Sequence, residues 1–305
     1  MSAAEGHSVS VIVPTTALAA RRPHIWRAID SILAQTGVRA VPTVIVNGPA
    51  RDPDLTRELV ADGRLRVHVV EEGGLANALQ VGRRLVDASW FAELDDDDVL
   101  LPDALASRVE ALAQSDGHDC VVTNGYRREH GEDTLNIADM SMVQRDPLRA
   151  FWDRNWLLPG SYLCRTDRVG SDLFDGMPES LECSYIALRL AIGYRVTFLQ
   201  SPTVIWNAHT PDSLSKSREW ILSHSRAHEC FLELDLPAHS RRKVLERIAS
   251  DFHAASDLFL REGDWREAWR WHLRCLGRHG GYRYLPYTRK LLWALVAPQR
   301  TSPIL

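Results

Sequence analysis

Four consecutive aspartates, Asp95, Asp96, Asp97 and Asp98, follow an apolar stretch at residues 90–94 and precede Val99-Leu100-Leu101-Pro102. Carboxylates crowded this closely repel one another unless positive charge sits among them. A hard divalent cation, which prefers oxygen ligands, is the simplest neutraliser. Held by only one or two carboxylates, such a cation keeps open positions that the phosphate oxygens of a nucleoside diphosphate fill well. The same run also reads as a solvated acidic turn capping a helix that starts near Pro102, because Asp favours helix N-termini. Position separates the two readings: the run closes a strand inside a repeating βα pattern.

That pattern begins with the β-branched run at residues 8–14, a buried strand stopped by Pro14. Residues 23–34 have helical spacing, with Ile25, Ile29, Ile32 and Leu33 on one face. Strands follow at 43–46, 65–70, 90–94 and 119–123, alternating with helices at 53–61, 75–86 and 102–113. Such alternation implies an α/β fold with a mostly parallel central sheet and helices on both faces. Ligands of these sheets bind beyond the carboxyl ends of the strands. Pro14-Thr15-Thr16, Asn47-Gly48, Glu71 to Gly74 and the aspartate run all fall at those ends and should converge on one crevice. From about Arg127 the rhythm gives way to longer loops, with strands at 160–164, 195–199 and 204–206 and an amphipathic helix at 182–192. Beyond Pro211 the chain reads as an all-helical extension, with helices at 216–234, 240–262, 265–275 and 286–296. Glu262-Gly263-Asp264 is the turn of a helix hairpin, with Gly ending one helix and Asp capping the next.

The 305 residues are 45% hydrophobic and 25% charged, which suits a soluble globular chain with a large core. A net charge of −4 gives no global nucleic-acid footprint. Five cysteines without CxxC spacing argue for a reducing compartment and against a zinc site. No secretory signal is apparent, and no apolar run approaches the ~20 residues of a membrane span, so the expected location is cytoplasmic.

Several segments, taken in order, resemble the family-2 glycosyltransferases, inverting enzymes of GT-A fold. Ser10-Val11-Ile12-Val13-Pro14-Thr15 is similar to their opening strand, and residues 28–35 to their first helix. Gly74-Leu75-Ala76-Asn77-Ala78-Leu79 resembles the glycine-led helix before the metal motif, and Leu94-Asp95-Asp96-Asp97-Asp98-Val99 fits the Asp-x-Asp motif itself. Gly160-Ser161, Phe174-Asp175, Glu182 with Arg189-Leu190-Ala191, and His209 with Ser213 and Ser215 follow at family-like spacings. The resemblance covers roughly residues 8–217. It implies a GT-A domain over 1–215, with a nucleotide-binding half at 1–125 and an acceptor half at 126–215, followed by the helical region 216–305. Two slots depart from the pattern. Val46-Asn47 stand where an acid usually reads the nucleotide base, and Cys183 stands where an aspartate commonly serves as catalytic base.

By this resemblance the reaction is metal-dependent transfer of a sugar, with inversion, from a nucleoside diphosphate donor to an acceptor hydroxyl. Asp97 is the expected direct ligand of Mn2+ or Mg2+, with Asp98 as a second ligand or as support behind the first. His209 resembles the histidine that completes the metal or diphosphate site, and Lys216 with Arg218 could pair with phosphate as a lid. Pro14, Thr15, Thr16 and Gly74 would border the nucleotide, with Asp96 beside Asp95 and Asp95 at ribose or sugar hydroxyls. Asn47 can donate and accept at a base edge; uracil is the expected base, with thymine and guanine open. Glu182, at a helix N-terminus that favours a carboxylate, is the candidate base, and Glu179 the reserve. A thiol such as Cys183, with pKa ~8.5, is a poor base at neutral pH. The acceptor could be a glycan, a lipid-linked glycan or another hydroxyl compound.

Other features carry less. His224 and His228 share the i, i+4 spacing of a two-His metal site, but no third ligand is evident. Trp265, Trp269 and Leu273 or Leu276 read as the seam of a helix hairpin. The stretch 278–300 mixes Arg and Lys with Tyr, Trp and Leu, which suits an anionic membrane surface, packing on the domain, or a homodimer contact. A degenerate GT-A module that binds a nucleotide sugar or partner without catalysis is the alternative function, supported by Val46 and Cys183. A nucleotidyltransferase ranks last, because residues 15–22 contain no glycine.

Overall fold

The βα rhythm of the sequence becomes a set of central strands covered on both faces, as parallel strands must be. In the computed structural model, which describes residues 7–115, 117–208 and 218–296, β1 (Ser8–Thr15) buries Val9, Val11, Ile12 and Val13 completely. Helix α1 (Arg22–Leu33) starts with a proline near its N-terminus and turns Ile25, Ala28, Ile29 and Ile32 to the core. It returns the chain to β2 (Arg39–Asn47), parallel to β1 with Thr15 opposite Val46. The Asp52 carboxylate accepts from the Leu55 N–H and caps α2 (Pro53–Ala61), which leads to β3 (Arg66–Val70), parallel to β2. Helix α3 (Leu75–Leu85) then brings β4 (Trp90–Glu93) to the other side of β1. Four parallel strands in the order β3-β2-β1-β4 thus end on one side of the sheet.

Beyond β4 the sheet is mixed. β5 (Val99–Leu100), α4 (Ala104–Gln114), β6 (Cys120–Glu129), β7 (Glu132–Leu135), α5 (Met140–Arg145), α6 (Pro147–Asp153), β8 (Tyr162–Arg165), α7 (Glu182–Gly193) and β9 (Val196–Asn207) follow in sequence. The sheet continues β4-β8-β6-β9-β5, with β7 on β6. β8 is antiparallel to both neighbours, β9 is parallel to β6, and β5 is antiparallel to β9. Residues 127–153, expected as long loops, hold the β6–β7 hairpin and two short helices. His130 and Gly131 form the two-residue turn with φ of 51° and 86°, a conformation usually signalled by Asn-Gly or Asp-Gly. The two strands expected at 195–199 and 204–206 are one strand, β9. The Ser201-Pro202 break in its pattern coincides with register shifts opposite Thr123 and Asn124.

The chain divides into two compact units, residues 1–212 and 213–305. In the second, α8 (Arg218–Phe231), α9 (Ala238–Arg261), α10 (Trp265–Leu276) and α11 (Tyr287–Val296) form the described helices. Gly263 (φ 83°) and the Asp264 cap on the Glu267 N–H make the α9–α10 turn as expected. The seam is rotated from the expected one. Ala268, His272 and Cys275 are the buried residues of α10, while Trp265 and Leu273 face out, 41% and 61% exposed. Small residues there let the helices approach until the Ser256 hydroxyl donates to the Ala268 carbonyl at 2.7 Å. Trp269 packs partly buried beside this cluster. His228 Nδ1 lies 2.7 Å from Asp251 Oδ2, and His224 packs edge-on against Trp220. No helix of the described residues is long and apolar enough to cross a membrane.

Helix α3 sits close on the sheet because Gly82 has no side chain: a methyl there would lie 2.4 Å from Ile12 Cγ2. Gly82→Ala is predicted to cost about 1–3 kcal/mol by overpacking. Gly63→Ala, where an added methyl meets nothing within 4 Å, should change stability by less than about 0.5 kcal/mol. Urea denaturation of both variants checks the pair; equal stabilities would refute the close approach.

Candidate active site

The ends of β1, β2 and β4 are tied together by side chains from their own loops. The Thr15 hydroxyl donates to Asp96 Oδ2 at 2.5 Å and accepts from the Ala17 N–H at 2.9 Å. Asn47 is buried, donating from Nδ2 to the Thr15 carbonyl at 3.0 Å and accepting at Oδ1 from the Gly74 N–H at 3.1 Å. Arg21 completes the tie, pairing with Asp96 and approaching Asp97 Oδ2 at 3.4 Å. Burial alone would depress the Arg21 guanidinium, but the hydrogen bond and charge of Asp96, with Asp97 and Asp95 behind it, raise it instead. The predicted convergence of strand ends is therefore a bonded one.

Within the run the four aspartates divide their labour. Asp96 turns back toward Thr15 and Arg21, whereas Asp95, Asp97 and Asp98 each offer a carboxylate oxygen within 4.8 Å of the others. The turn is tight, with the Asp98 N–H donating to the Asp95 carbonyl at 3.1 Å. Its outer edge is held by Arg27 and Asn207, which both donate to the Asp97 carbonyl, at 3.0 and 2.6 Å. Asp98 accepts from the Asn207 N–H at Oδ1, 2.8 Å, but its Oδ2 is buried with no partner. A buried, unpaired carboxylate oxygen beside two other carboxylates is a costly arrangement for a bare protein, and suits a hard divalent cation. Among the described residues this is the group of three or more His, Cys, Asp or Glu side chains arranged to hold a metal.

Further acids crowd the same place. Glu93, at the end of β4, is buried and accepts from the Tyr162 hydroxyl at 2.6 Å. Burial, opposed by that hydrogen bond and reinforced by the charge of Glu182, pushes Glu93 up to about 7. Asp95 is raised well above the carboxylate range by burial and by the charges of Glu93, Asp98, Asp97 and Glu182. Asp98 is raised by burial and Asp97, with the Asn207 N–H acting in the opposite sense. Glu182, the first residue of α7, is raised by burial. The preceding Leu181 takes a left-handed φ of 62°, strain that turns the chain just where this carboxylate must be set. Cys183 is driven far up by burial and by Glu182, Glu93, Asp95 and Asp98, so its thiol stays protonated and is no base.

The structure thus brings Asp95, Asp97, Asp98 and Glu182 into one electrostatic unit. Glu179 is exposed on the loop before α7, and its charge is not among those acting on Glu93 or Asp95. Thr15 and Asn47, expected at the nucleotide, are placed as braces of the crevice wall, with Pro14 buried and Thr16 exposed beside them. Gly74 opens α3 with φ of 115°, which only glycine adopts readily. His209 and Lys216 lie outside the described residues; Arg218 opens α8 in the second unit and is 3.3 Å from Glu262. Sequence reading did not single out Glu93, Tyr162, Arg21 or Arg108. Arg108, fully buried on α4, donates to the Gly160 carbonyl at 2.6 Å and to Thr203 Oγ1 at 2.5 Å. Burial pulls its guanidinium down to about 9. A lone arginine on the buried face of α4, and an acid within the apolar run 90–94, were the available signals.

The fold and the family are shared with known proteins. S. aureus TarS 1–349, solved in complex with UDP-GlcNAc, superposes with a TM-score of 0.58 at 14% identity, over 95% of this chain and 87% of that one. Its complex with UDP gives 0.56 at 15% identity; at such identities the likeness establishes the fold. An uncharacterized glycosyltransferase of Rickettsia prowazekii is 30% identical over 118 residues, 39% of this chain and 36% of the relative. One from Rickettsia conorii is 28% identical over 120 residues, 39% of this chain and 19% of the relative. The matched stretch therefore spans about a fifth to about a third of these relatives' length. Residues 10–166, which hold the opening strand, the braced strand ends and the aspartate run, match the model of glycosyl transferase family 2, and the chain belongs to that family.

Proposed function

We propose that this chain is a metal-dependent, inverting glycosyltransferase that moves a sugar from a nucleoside diphosphate donor to an acceptor hydroxyl. The observation that carries the proposal is the trio of carboxylates Asp95, Asp97 and Asp98 within 4.8 Å, with Asp98 Oδ2 buried and unpaired. Asp97 and Asp98, with Asp95 beside them, would hold Mn2+ or Mg2+. When bound, such an ion supplies charge neutralisation for a leaving diphosphate. A uridine nucleotide is the proposed donor, supported by TarS, which shares the fold and was solved with UDP and UDP-GlcNAc.

The protein's own part is to position the reactants and take up a proton. Arg21 and Arg27 fix the aspartate turn through Asp96 and the Asp97 carbonyl, and Thr15 and Asn47 keep the crevice wall in register with it. Glu182 is the proposed base. Its raised proton affinity, a consequence of burial, makes it a better acceptor of an acceptor hydroxyl's proton than an exposed carboxylate. Glu93, which accepts from the Tyr162 hydroxyl, feels the Glu182 charge directly. The acceptor is proposed only as a hydroxyl compound, a glycan or lipid-linked glycan among them.

Three measurements test this reading. Asp97→Ala should weaken Mn2+-dependent UDP binding at least about tenfold, read by calorimetry. Glu182→Gln should bind UDP normally while donor turnover falls at least about a hundredfold. Normal turnover would reject the base assignment, and UDP binding without turnover in the wild type would favour the non-catalytic alternative. The third concerns stability. Carboxyls raised in the folded state hold more protons than in the unfolded chain between about pH 4, the ordinary carboxylate range, and the value of about 7 reached by Glu93. Their contribution to stability is fullest below that window and is lost as pH rises through it. The metal-free melting temperature should therefore fall by several degrees across the window, and Mn2+ should restore it at the alkaline end, where the carboxylates are ionised. A melting temperature indifferent to both pH and Mn2+ would overturn the assignment.

A further inference from the structure

We propose that the outward face of α11, with the 3-10 turn before it, is a docking surface for an anionic lipid bilayer. The helix is pinned from its inner side. The Tyr287 hydroxyl lies 3.2 Å from Asp257 Oδ1, Thr288 Oγ1 lies 2.7 Å from His272 Nε2, and Leu291 is buried. That leaves Leu292 and Trp293 pointing away from the unit, 50% and 73% exposed, with Arg289 exposed one turn earlier on the same side. Tyr282 and Leu285, 67% and 56% exposed, extend the apolar surface toward the N-terminal end of the helix. Large apolar side chains grouped on one surface mark an interaction site more often than chance exposure.

Charge decides the kind of partner. The whole chain carries 36 Lys and Arg against 40 Asp and Glu, yet residues 265–296 hold seven Lys and Arg and a single acid, Glu267. Arg270, Arg278, Arg283 and Lys290 pair with Glu267, Glu229, Glu246 and Asp257, which leaves Arg266, Arg274 and Arg289 as the cations of this stretch without a carboxylate partner among the described residues. A second copy of the same surface would bring like charges face to face, which opposes a symmetric contact. An anionic membrane interface offers what both features need: phosphate groups for the basic side chains and the headgroup boundary for Trp, Tyr and Leu. Arg289 sits one turn from Leu292 and Trp293, so the side chains that would enter the interface are flanked by one that would pair with headgroups, while Lys290 is held by Asp257 at 2.8 Å. The contact is peripheral.

Vesicle co-sedimentation of the full chain, without nucleotide, tests this independently of the glycosyl transfer. The probes are phosphatidylcholine vesicles and phosphatidylcholine vesicles containing about 30 mol% phosphatidylglycerol, a strongly anionic surface. Binding should require the anionic lipid and weaken as salt rises. Leu292→Ser with Trp293→Ser should lower partitioning at least about tenfold with the melting temperature unchanged, and Arg289→Glu should lower it by a smaller factor. Failure to bind anionic vesicles, equal binding to neutral ones, or unchanged binding of the double variant would overturn the proposal. A wild-type dimer that the double variant dissociates, seen by light scattering, would also overturn it by assigning the face to a contact between copies.

Discussion

Like-charge crowding where β4 ends is the constraint from which the rest of the first unit follows. Glu93, Asp95, Asp97, Asp98 and Glu182 concentrate negative potential in one small volume, where Glu93 and Asp98 are buried and the other three half-buried. A protein left to optimise stability alone would dilute such a cluster, since buried unpaired charge is among the costliest features a fold can carry. Here the surrounding structure enforces it. Arg21 neutralises Asp96, the one member of the run that turns inward, and hydrogen bonds to the Asp97 and Asp98 backbone and side chain fix the rest. The four aspartates are thus tied into the strand ends, as an acidic surface turn would not be.

The scaffold explains why the cluster can exist. Parallel β1, β2, β3 and β4 deliver their ends to one side of the sheet, so residues remote in sequence meet without long loops. Asn47 illustrates the economy: one amide bridges the β1 end and the start of α3. It stands where a base-reading acid is the more usual residue, and the structure gives it a positional part. Cys183, in the slot of the usual aspartate, is a thiol that burial and the nearby acids keep protonated, so a proton acceptor there would have to be a carboxylate, and Glu182 adjoins it.

Much of the first half was legible in the sequence because burial on both faces forces unbroken β-branched runs and because the aspartate run is so dense. The second half was harder for identifiable reasons. His130-Gly131 makes a hairpin turn without its usual Asn or Asp, Pro202 interrupts the pattern of a strand that continues past it, and α5 and α6 are too short to show a period. In the helical unit the spacing of Trp265, Trp269 and Leu273 indicated a seam, but the small residue Ala268 set the contact instead. At the site, the crowding of the aspartates could be read from type and spacing, but that Asp95 stands with Asp97 and Asp98 could not: the sequence pointed to Asp97 and Asp98 with His209, which lies outside the described residues. Glu93 left a local trace as an acid inside an apolar run, but Tyr162 and Arg21 left none, since their parts depend on which strands are neighbours, a property of topology that no local pattern encodes.

That topology has a mechanical side. β8, reversed in direction, is wedged between β4 and β6, and the Glu93–Tyr162 hydrogen bond crosses the junction directly beneath the acids. The two parts of the sheet are stitched into a single continuous plate, unlike domains that hinge about a cleft. A change that loosens the β4–β8 junction would therefore reach the carboxylates at the end of β4, because one sheet carries both.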